Sequence, residues 1–259
     1  MAAYPFRSPF SLISVRRFSI SLRSIWFIIN VVLWTVIFAS AGIIGSLFEW
    51  RGKFLSWITK TWSKWLLTIG GIKYRVIGLT RLDSKSNYVF AANHESALDI
   101  PLVFAGLPFH IVSIAKIELK WIPIFGWAML AGGHFFVDRR KHTKALNSLE
   151  KARNSMAKNP RSIIIFPEGT RSINGEVKPF KKGGLVLALR MGMPVVPIAL
   201  CGTGNAMRKK GLTLNRQTLE LRIGEPISTK NINYENRNQF VSNVRKKVVA
   251  LRERGAHDA

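Results

Sequence analysis

The chain runs to 259 residues, with 39 Lys and Arg against 14 Asp and Glu, a formal charge of +25, and 47% of its residues hydrophobic. That length suits one α/β domain, or one domain with an appended element, and supplies apolar side chains for a large core. A single cysteine, Cys201, excludes an internal disulfide and fits a reducing compartment. Cys201 closes the apolar run from Pro194, which reads as core packing rather than the surroundings of a nucleophile. The charge points to a polyanion: nucleic acid, anionic lipid headgroups, or phosphorylated and carrier-bound metabolites. Charge does not choose among these, so the apolar segments have to.

Residues Met1 to Arg23 are basic, through Arg7, Arg16, Arg17 and Arg23, with no acid. From Ser24 to Phe48 there is no charge, a length sufficient for a bilayer-embedded helix. The run exceeds the usual apolar stretch of a signal peptide and lacks a clean small-x-small cleavage site before a mature start. In Lys53 to Ile69, Phe54, Ile58, Trp62, Trp65, Leu66 and Ile69 recur at helical spacing, opposite Lys53, Lys60, Ser63 and Lys64. Two readings stand for it, a helix lying among lipid headgroups or one packed on the main domain. Basic residues flank the uncharged run on both sides, so the positive-inside rule gives no orientation. A hairpin dipping into one leaflet and returning would explain both flanks. Residues 1–70 therefore read as a basic segment with a membrane-associated helical pair, and residues 71–259 as a separate α/β domain.

After Gly70-Gly71 the texture changes. Tyr74–Gly78 and Tyr88–Ala92 read as strands, Ile100–Ala105 as a short helix and His110–Ala115 as a strand. Leu119 to Leu130 reads as helical, with Pro123 starting or kinking it. Phe135–Val137 follows as a strand, and Thr143 to Lys158 as an amphipathic helix. Ile163–Phe166, Val195–Leu200 and Thr218–Ile223 read as strands, Lys181 to Met191 and Glu235 to Arg252 as helices. Only Met1–Ser14 and Arg254–Ala259 look loose. Strands alternating with helices imply an α/β fold with a mixed, largely parallel sheet flanked by helices.

Four polar islands interrupt the apolar runs, each at the carboxyl end of a strand, where open α/β sheets place their sites. Asn93-His94-Glu95-Ser96 follows the second strand, and Asp99 lies five residues beyond His94. If the turn folds back, Asp99 accepts from one imidazole nitrogen and leaves the other free as a general base. The alternative is a histidine satisfied in a loop beside an unrelated aspartate. Lys116-Ile117-Glu118-Leu119 follows the next strand, and His134 to Arg140 ends in Asp138, Arg139 and Arg140. In Phe166-Pro167-Glu168-Gly169-Thr170-Arg171-Ser172, the Arg171 guanidinium offers a planar fork that matches a phosphate, and Glu168 an acceptor for a substrate hydroxyl. A structural Glu168–Arg171 ion pair is the plainer reading of that turn. No His, Cys, Asp and Glu cluster has metal-ligand spacing, and no phosphate-binding glycine loop is present.

Taken in order, Asn93-His94-x4-Asp99, Lys116-x-Glu118-Leu119-x3-Pro123-x2-Gly126, Phe135-Phe136-Val137-Asp138-Arg139, Phe166 to Arg171 and Val196-Pro197-Ile198 resemble the motifs of glycerolipid acyltransferases. The similarity runs from about Gly70 to Pro226, and the chain looks like a member of the 1-acyl-sn-glycerol-3-phosphate (lysophosphatidate) acyltransferase family. The helical pair also resembles the membrane-docking element of bacterial members. The resemblance implies acyl transfer from acyl-coenzyme A or acyl carrier protein to the sn-2 hydroxyl of lysophosphatidate, giving phosphatidic acid. It implies His94 as base, Asp99 as the group holding its tautomer, Lys116 and Arg171 on the acceptor phosphate, Glu168 and Gly169 placing the glycerol portion, and Thr170 among the substrate-binding residues. It further implies no bound cofactor or metal, contact with membrane lipids, no nucleic acid, and a bacterial inner membrane with the catalytic domain on the cytoplasmic face. Two rivals remain at this point. One is an acyltransferase for another lysophospholipid, glycerol 3-phosphate or an aminoacyl lipid; the other is a membrane-tethered basic protein binding anionic lipid or nucleic acid.

Overall fold

The structure is a computed structural model that describes residues 21–49, 51–138, 142–208 and 211–253, with residues 142–146 described by backbone alone. The loose ends expected at Met1–Ser14 and Arg254–Ala259, and Arg7, Arg16, Arg17, Arg139 and Arg140, lie outside the described residues. The described strands are β1 (Lys73–Ile77), β2 (Val89–Ala92), β3 (Ile111–Lys116), β4 (Phe135–Val137), β5 (Ser162–Ile165), β6 (Val195–Cys201) and β7 (Thr218–Ile223). They form one sheet in the order β1-β7-β6-β2-β5-β3-β4. Strands β6, β2, β5, β3 and β4 run parallel, β7 is antiparallel to β6, and β1 is parallel to β7. The sheet is thus mixed and largely parallel, as the alternation of strands and helices implies.

The helices are α1 (Leu22–Ser46), α2 (Lys53–Ile69), α3 (Asp99–Gly106), α4 (Phe125–Ala131), α5 (His142–Lys158), α6 (Lys182–Met191), α7 (Thr203–Ala206) and α8 (Arg237–Glu253). Strands β2, β5 and β6 are apolar on both faces because both faces are covered. Phe90, Ile164 and Val196 point into a cluster with Phe27 of α1, Leu67 of α2 and Leu102 of α3. Their sequence neighbours Val89, Ile163 and Val195 point the other way, toward Leu185 and Ala188 of α6 and Val244 and Val248 of α8.

α1 and α2 pack together as a helical pair, whereas the uncharged run is one continuous helix, α1, rather than a hairpin that dips and returns within itself. Gly42 meets Leu55, the Trp34 and Trp65 rings meet edge-on at 5.1 Å, and Trp62 Nε1 donates to Thr35 Oγ1 at 3.1 Å. α2 packs on the α/β domain through Leu67, and Lys60 Nζ donates to the Pro108 carbonyl at 2.7 Å. Trp57 and Trp65 nevertheless stay exposed on its other side. α1 is long and apolar enough to cross a membrane, and only 17% of its apolar stretch is buried.

The helix expected over Leu119 to Leu130 is broken rather than kinked. A 3-10 turn, Ile117–Trp121, precedes α4, and between them Ile124 has φ 62°. Phe125 N–H donates to the Pro123 carbonyl at 2.6 Å, which closes a γ-turn around Ile124. Pro123 has no N–H to continue the helical ladder, and the reversed turn sends the chain in a new direction.

Candidate active site

The islands meet because of strand order. β2, β5, β3 and β4 are successive parallel neighbours, so the loops after their carboxyl ends stand side by side. β2 lies where the connections diverge, with β3 on one side and β6 on the other, the position at which open sheets form a crevice.

The turn after β2 is built around one carboxylate. Asp99, fully buried in the first turn of α3, accepts from the Glu95 amide at 2.7 Å and the Ser96 amide at 2.9 Å through Oδ2. The same oxygen lies 2.6 Å from His94 Nδ1. Two fixed amides therefore aim the carboxylate at the imidazole, and His94 donates from Nδ1, leaving Nε2 as the basic nitrogen. The ring stacks on Phe166, centroids 4.2 Å apart, and is 19% exposed. Ser96 does not compete as a nucleophile: its hydroxyl is buried and donates to the Met207 carbonyl at 2.7 Å.

Below the turn, Asn93 extends the β2–β6 pairing with its side chain. Its Oδ1 accepts from the Leu200 amide at 2.8 Å, and its Nδ2 donates to the Leu200 carbonyl at 2.9 Å. Nδ2 also donates to Glu95 Oε1, which Arg252 of α8 reaches at 2.8 Å. Burial pushes the Glu95 carboxyl up, and the Arg252 guanidinium opposes the shift.

The loop after β5 locks onto this turn. Glu168 is 3% exposed; its Oε1 accepts from the His94 amide at 2.8 Å and its Oε2 from the Lys178 amide at 3.2 Å. The Ser172 amide donates to the His94 carbonyl at 2.7 Å. Burial raises the Glu168 carboxyl, partly offset by those two amides. Gly169 takes φ 73°, where a side chain would be strained, and a Cβ there would stand 3.2 Å from Lys181 Nζ. Thr170 is exposed and Arg171 half-buried, and Lys178 Nζ donates to the Arg171 carbonyl at 3.2 Å. Lys116, at the end of β3, is half-exposed and lies 3.0 Å from the Glu118 carboxylate, an exposed pair that is easily exchanged for another anion.

The structure thus joins His94, Asp99 and the Glu168–Arg171 loop in direct contact, with Lys116 one strand further along. Reading by motif missed Lys178 and Lys181, which stand against the Glu168–Arg171 loop, and the Glu95–Arg252 pair, which bridges 157 positions of sequence. The Pro179-Phe180-Lys181 break before α6 was the one local signal for the lysines. Chemically, the edge offers a fixed base, a half-open approach to it, and several cations: an arrangement for activating a hydroxyl on an anionic substrate.

Comparison with known proteins agrees. The Acyltransferase family matches residues 73–201. The chain is 37% identical over 188 residues to the 1-acyl-sn-glycerol-3-phosphate acyltransferase of Saccharomyces cerevisiae, covering 71% of this chain and 62% of that one. It is 36% identical over 158 residues to the enzyme of that name from Cocos nucifera, covering 61% and 51%. The chain therefore spans between half and two thirds of the length of these curated relatives. The crystal structure of the 1-acyl-sn-glycerophosphate (LPA) acyltransferase PlsC from Thermotoga maritima superposes with a TM-score of 0.74 at 28% identity, covering 89% of this chain and 95% of that one. The chain thus carries a match to the Acyltransferase family over residues 73–201, and in sequence and fold it is similar to 1-acyl-sn-glycerol-3-phosphate acyltransferases.

Proposed function

We propose that the chain transfers a fatty acyl group from an acyl thioester to the sn-2 hydroxyl of 1-acyl-sn-glycerol 3-phosphate, giving phosphatidic acid. The observation that carries this is the His94 Nδ1–Asp99 Oδ2 contact of 2.6 Å, set by two backbone amides and abutting the loop of Arg171. His94 Nε2 takes the proton of the acceptor hydroxyl as its oxygen attacks the thioester carbonyl. The C–O bond forms, the tetrahedral carbon collapses, the C–S bond breaks, and the imidazolium returns the proton to the departing sulfur. Asp99 holds the tautomer and steadies the imidazolium throughout.

Arg171, Lys116 and Lys181 hold the acceptor phosphate, with Arg171 supplying the bidentate fork. Gly169 and Thr170 border the glycerol portion. Glu168, with both oxygens on backbone amides, sets the loop that carries them. No acyl-enzyme is required, since the Ser96 hydroxyl is turned away to Met207. The donor is an acyl-coenzyme A or acyl carrier protein thioester, and both substrates arrive at a membrane surface, where confinement supplies much of the rate. The charge of +25 suits anionic lipid on the cytoplasmic face of a bacterial inner membrane and the phosphates or acids of the donor.

The test is thiol release from an acyl thioester on adding lysophosphatidate, with a panel of acyl-coenzyme A and acyl carrier protein donors. His94→Ala and Asp99→Asn are expected to lose roughly 10³-fold or more in kcat without a matching loss of melting temperature. Cys201→Ser is expected to stay active. Thiol release by glycerol 3-phosphate or a phosphate-free acceptor in preference to lysophosphatidate would replace the acceptor, and a well-folded, fully active His94→Ala would end the mechanism.

A further inference from the structure

The γ-turn between β3 and α4 is hard to make and serves no role in the chemistry above. A β-branched residue at positive φ is strained, and Ile124 sits at φ 62°. The next turn tolerates no side chain at Gly126, where a Cβ would stand 2.3 Å from the Lys120 carbonyl. What holds the strain is packing: Ile124, Ala128 and Ala131 seat against Ala39 and Ile43 of α1 and Leu55 of α2. What the strain accomplishes is display. Trp121, Ile122, Trp127 and Leu130 are left 75%, 45%, 56% and 44% exposed within ten residues.

Such a cluster of large apolar side chains is not an ordinary surface. α4, which carries Trp127 and Leu130, packs against α1, whose own exposed apolar residues include Ile25, Ile29, Val32 and Val36. Lys120 lies 5.6 Å from the Trp121 ring, and the one acid between Lys116 and Val137 is Glu118, already on Lys116. Tryptophans beside lysines on a strongly basic chain match the boundary of an anionic bilayer, where the rings sit at headgroup depth.

We infer that the 117–131 segment is a second lipid-contacting surface, distinct from the helical pair, which seats the carboxyl edge of the sheet on an anionic bilayer. The segment leaves β3 directly after Lys116, so its burial fixes the height of the catalytic edge over the headgroups. The contact itself needs no substrate; only its consequence for acceptor delivery rests on the proposed function.

The test uses the full chain with Cys201→Ser, reconstituted in vesicles of phosphatidylcholine and phosphatidylglycerol. Single cysteines replace Trp121, Trp127, Val32 of α1 or Tyr234, which is exposed beside α8, and carry an environment-sensitive fluorophore. Positions 121 and 127 are expected to emit as in an apolar medium and to be quenched by nitroxide-bearing lipid, as is 32, whereas 234 is not. Water-like emission at 121 and 127 with quenching at 32 overturns the inference. So does an emission shift that vanishes when labelled protein is diluted with lipid, which would mean that a second copy covers the face. A functional arm uses Trp121→Ser with Trp127→Ser: kcat/KM is expected to fall roughly tenfold for vesicle-borne lysophosphatidate and to hold for a short-chain, water-soluble one. Equal losses for the two, or a matching fall in melting temperature, also overturn it. Quenching at 121 and 127 in a protein inactive on lysophosphatidate would leave the lipid surface standing and remove the proposed function instead.

Discussion

The His94 amide donates to Glu168 Oε1 at 2.8 Å, so the His94 turn and the Glu168–Arg171 loop share one buried carboxylate. The second oxygen of Glu168 takes the Lys178 amide, which makes the carboxylate a brace between three segments. Glu168→Gln keeps one acceptor and turns an NH2 toward an amide donor. An unsatisfied buried donor costs about 1–3 kcal/mol, so melting temperature should fall by several degrees and kcat with it. A role in glycerol contact alone would instead raise KM at unchanged melting temperature, which thermal melts beside steady-state kinetics distinguish.

Arg171 is expected to matter in proportion to the acceptor's phosphate. Charge-assisted hydrogen bonds contribute about 1.5–3 kcal/mol, so Arg171→Ala should lower kcat/KM for lysophosphatidate roughly ten- to hundredfold. A monoacylglycerol should be poor with the native enzyme and hardly worse with the variant. Arg171→Lys should recover part of the loss, since an ammonium keeps the charge but not the fork. Lys181→Ala should show the same acceptor dependence, more weakly. Equal losses on both acceptors with a lower melting temperature would move Arg171 from binding to holding the turn.

Acid should weaken the domain at the amino end of the sheet. His134 Nδ1 accepts from the Ser113 amide at 3.0 Å, and burial holds its pKa at about 4; burial holds that of His110 at about 4 as well. Both lie below the ordinary 6.5, so between 6.5 and 4 the unfolded chain takes up protons that the folded one refuses. That stability is present above 6.5 and is lost as pH falls. Glu95 and Glu168, raised by burial, act in the opposite sense, losing stability as pH rises past their ordinary value. The share of His134 is isolated by His134→Asn, whose Oδ1 can take the Ser113 amide. Its drop in stability from about pH 7 to about pH 5 should be smaller than the native drop by on the order of 1–2 kcal/mol. An unchanged slope in pH-dependent melts would remove His134 as the acid-sensitive group.

Cutting the chain at Gly70 should damage more than membrane attachment. Phe27 and Leu67 lie in the same core as Phe90 and Leu102, so residues 71–259 would expose that face. Each such side chain is worth about 2–5 kcal/mol, and the truncated domain is expected to aggregate or to lose its cooperative melt. A soluble 71–259 fragment melting like the full chain would show that the two parts fold independently. Leu67→Ala in the full chain tests the same contact with less damage.

Much of the local architecture was legible in the sequence, because strand and helix periodicity is set by neighbours two to four residues apart. The alternation in β7, the apolar runs of β2 and β5 and the helix of α5 all lie where their patterns placed them, within a residue or two. The His94–Asp99 pair was legible too, since a turn of five residues is a local object. The broken helix was not: Pro123 announced a disturbance, but the φ of Ile124 is held by α1 and α2, some eighty residues earlier. Strand order was likewise tertiary. Only the insertion of β5 between β2 and β3 brings Glu168 under His94, and only the return of α8 brings Arg252 to Glu95. Sequence alone marked the His94–Asp99 turn and the polar islands at the strand ends, but not Lys178, Lys181 or Arg252. The tertiary structure decided which of those ends are neighbours, because pairing across the sheet and packing of its helices depend on burial shared by the whole chain rather than on any segment's own preference.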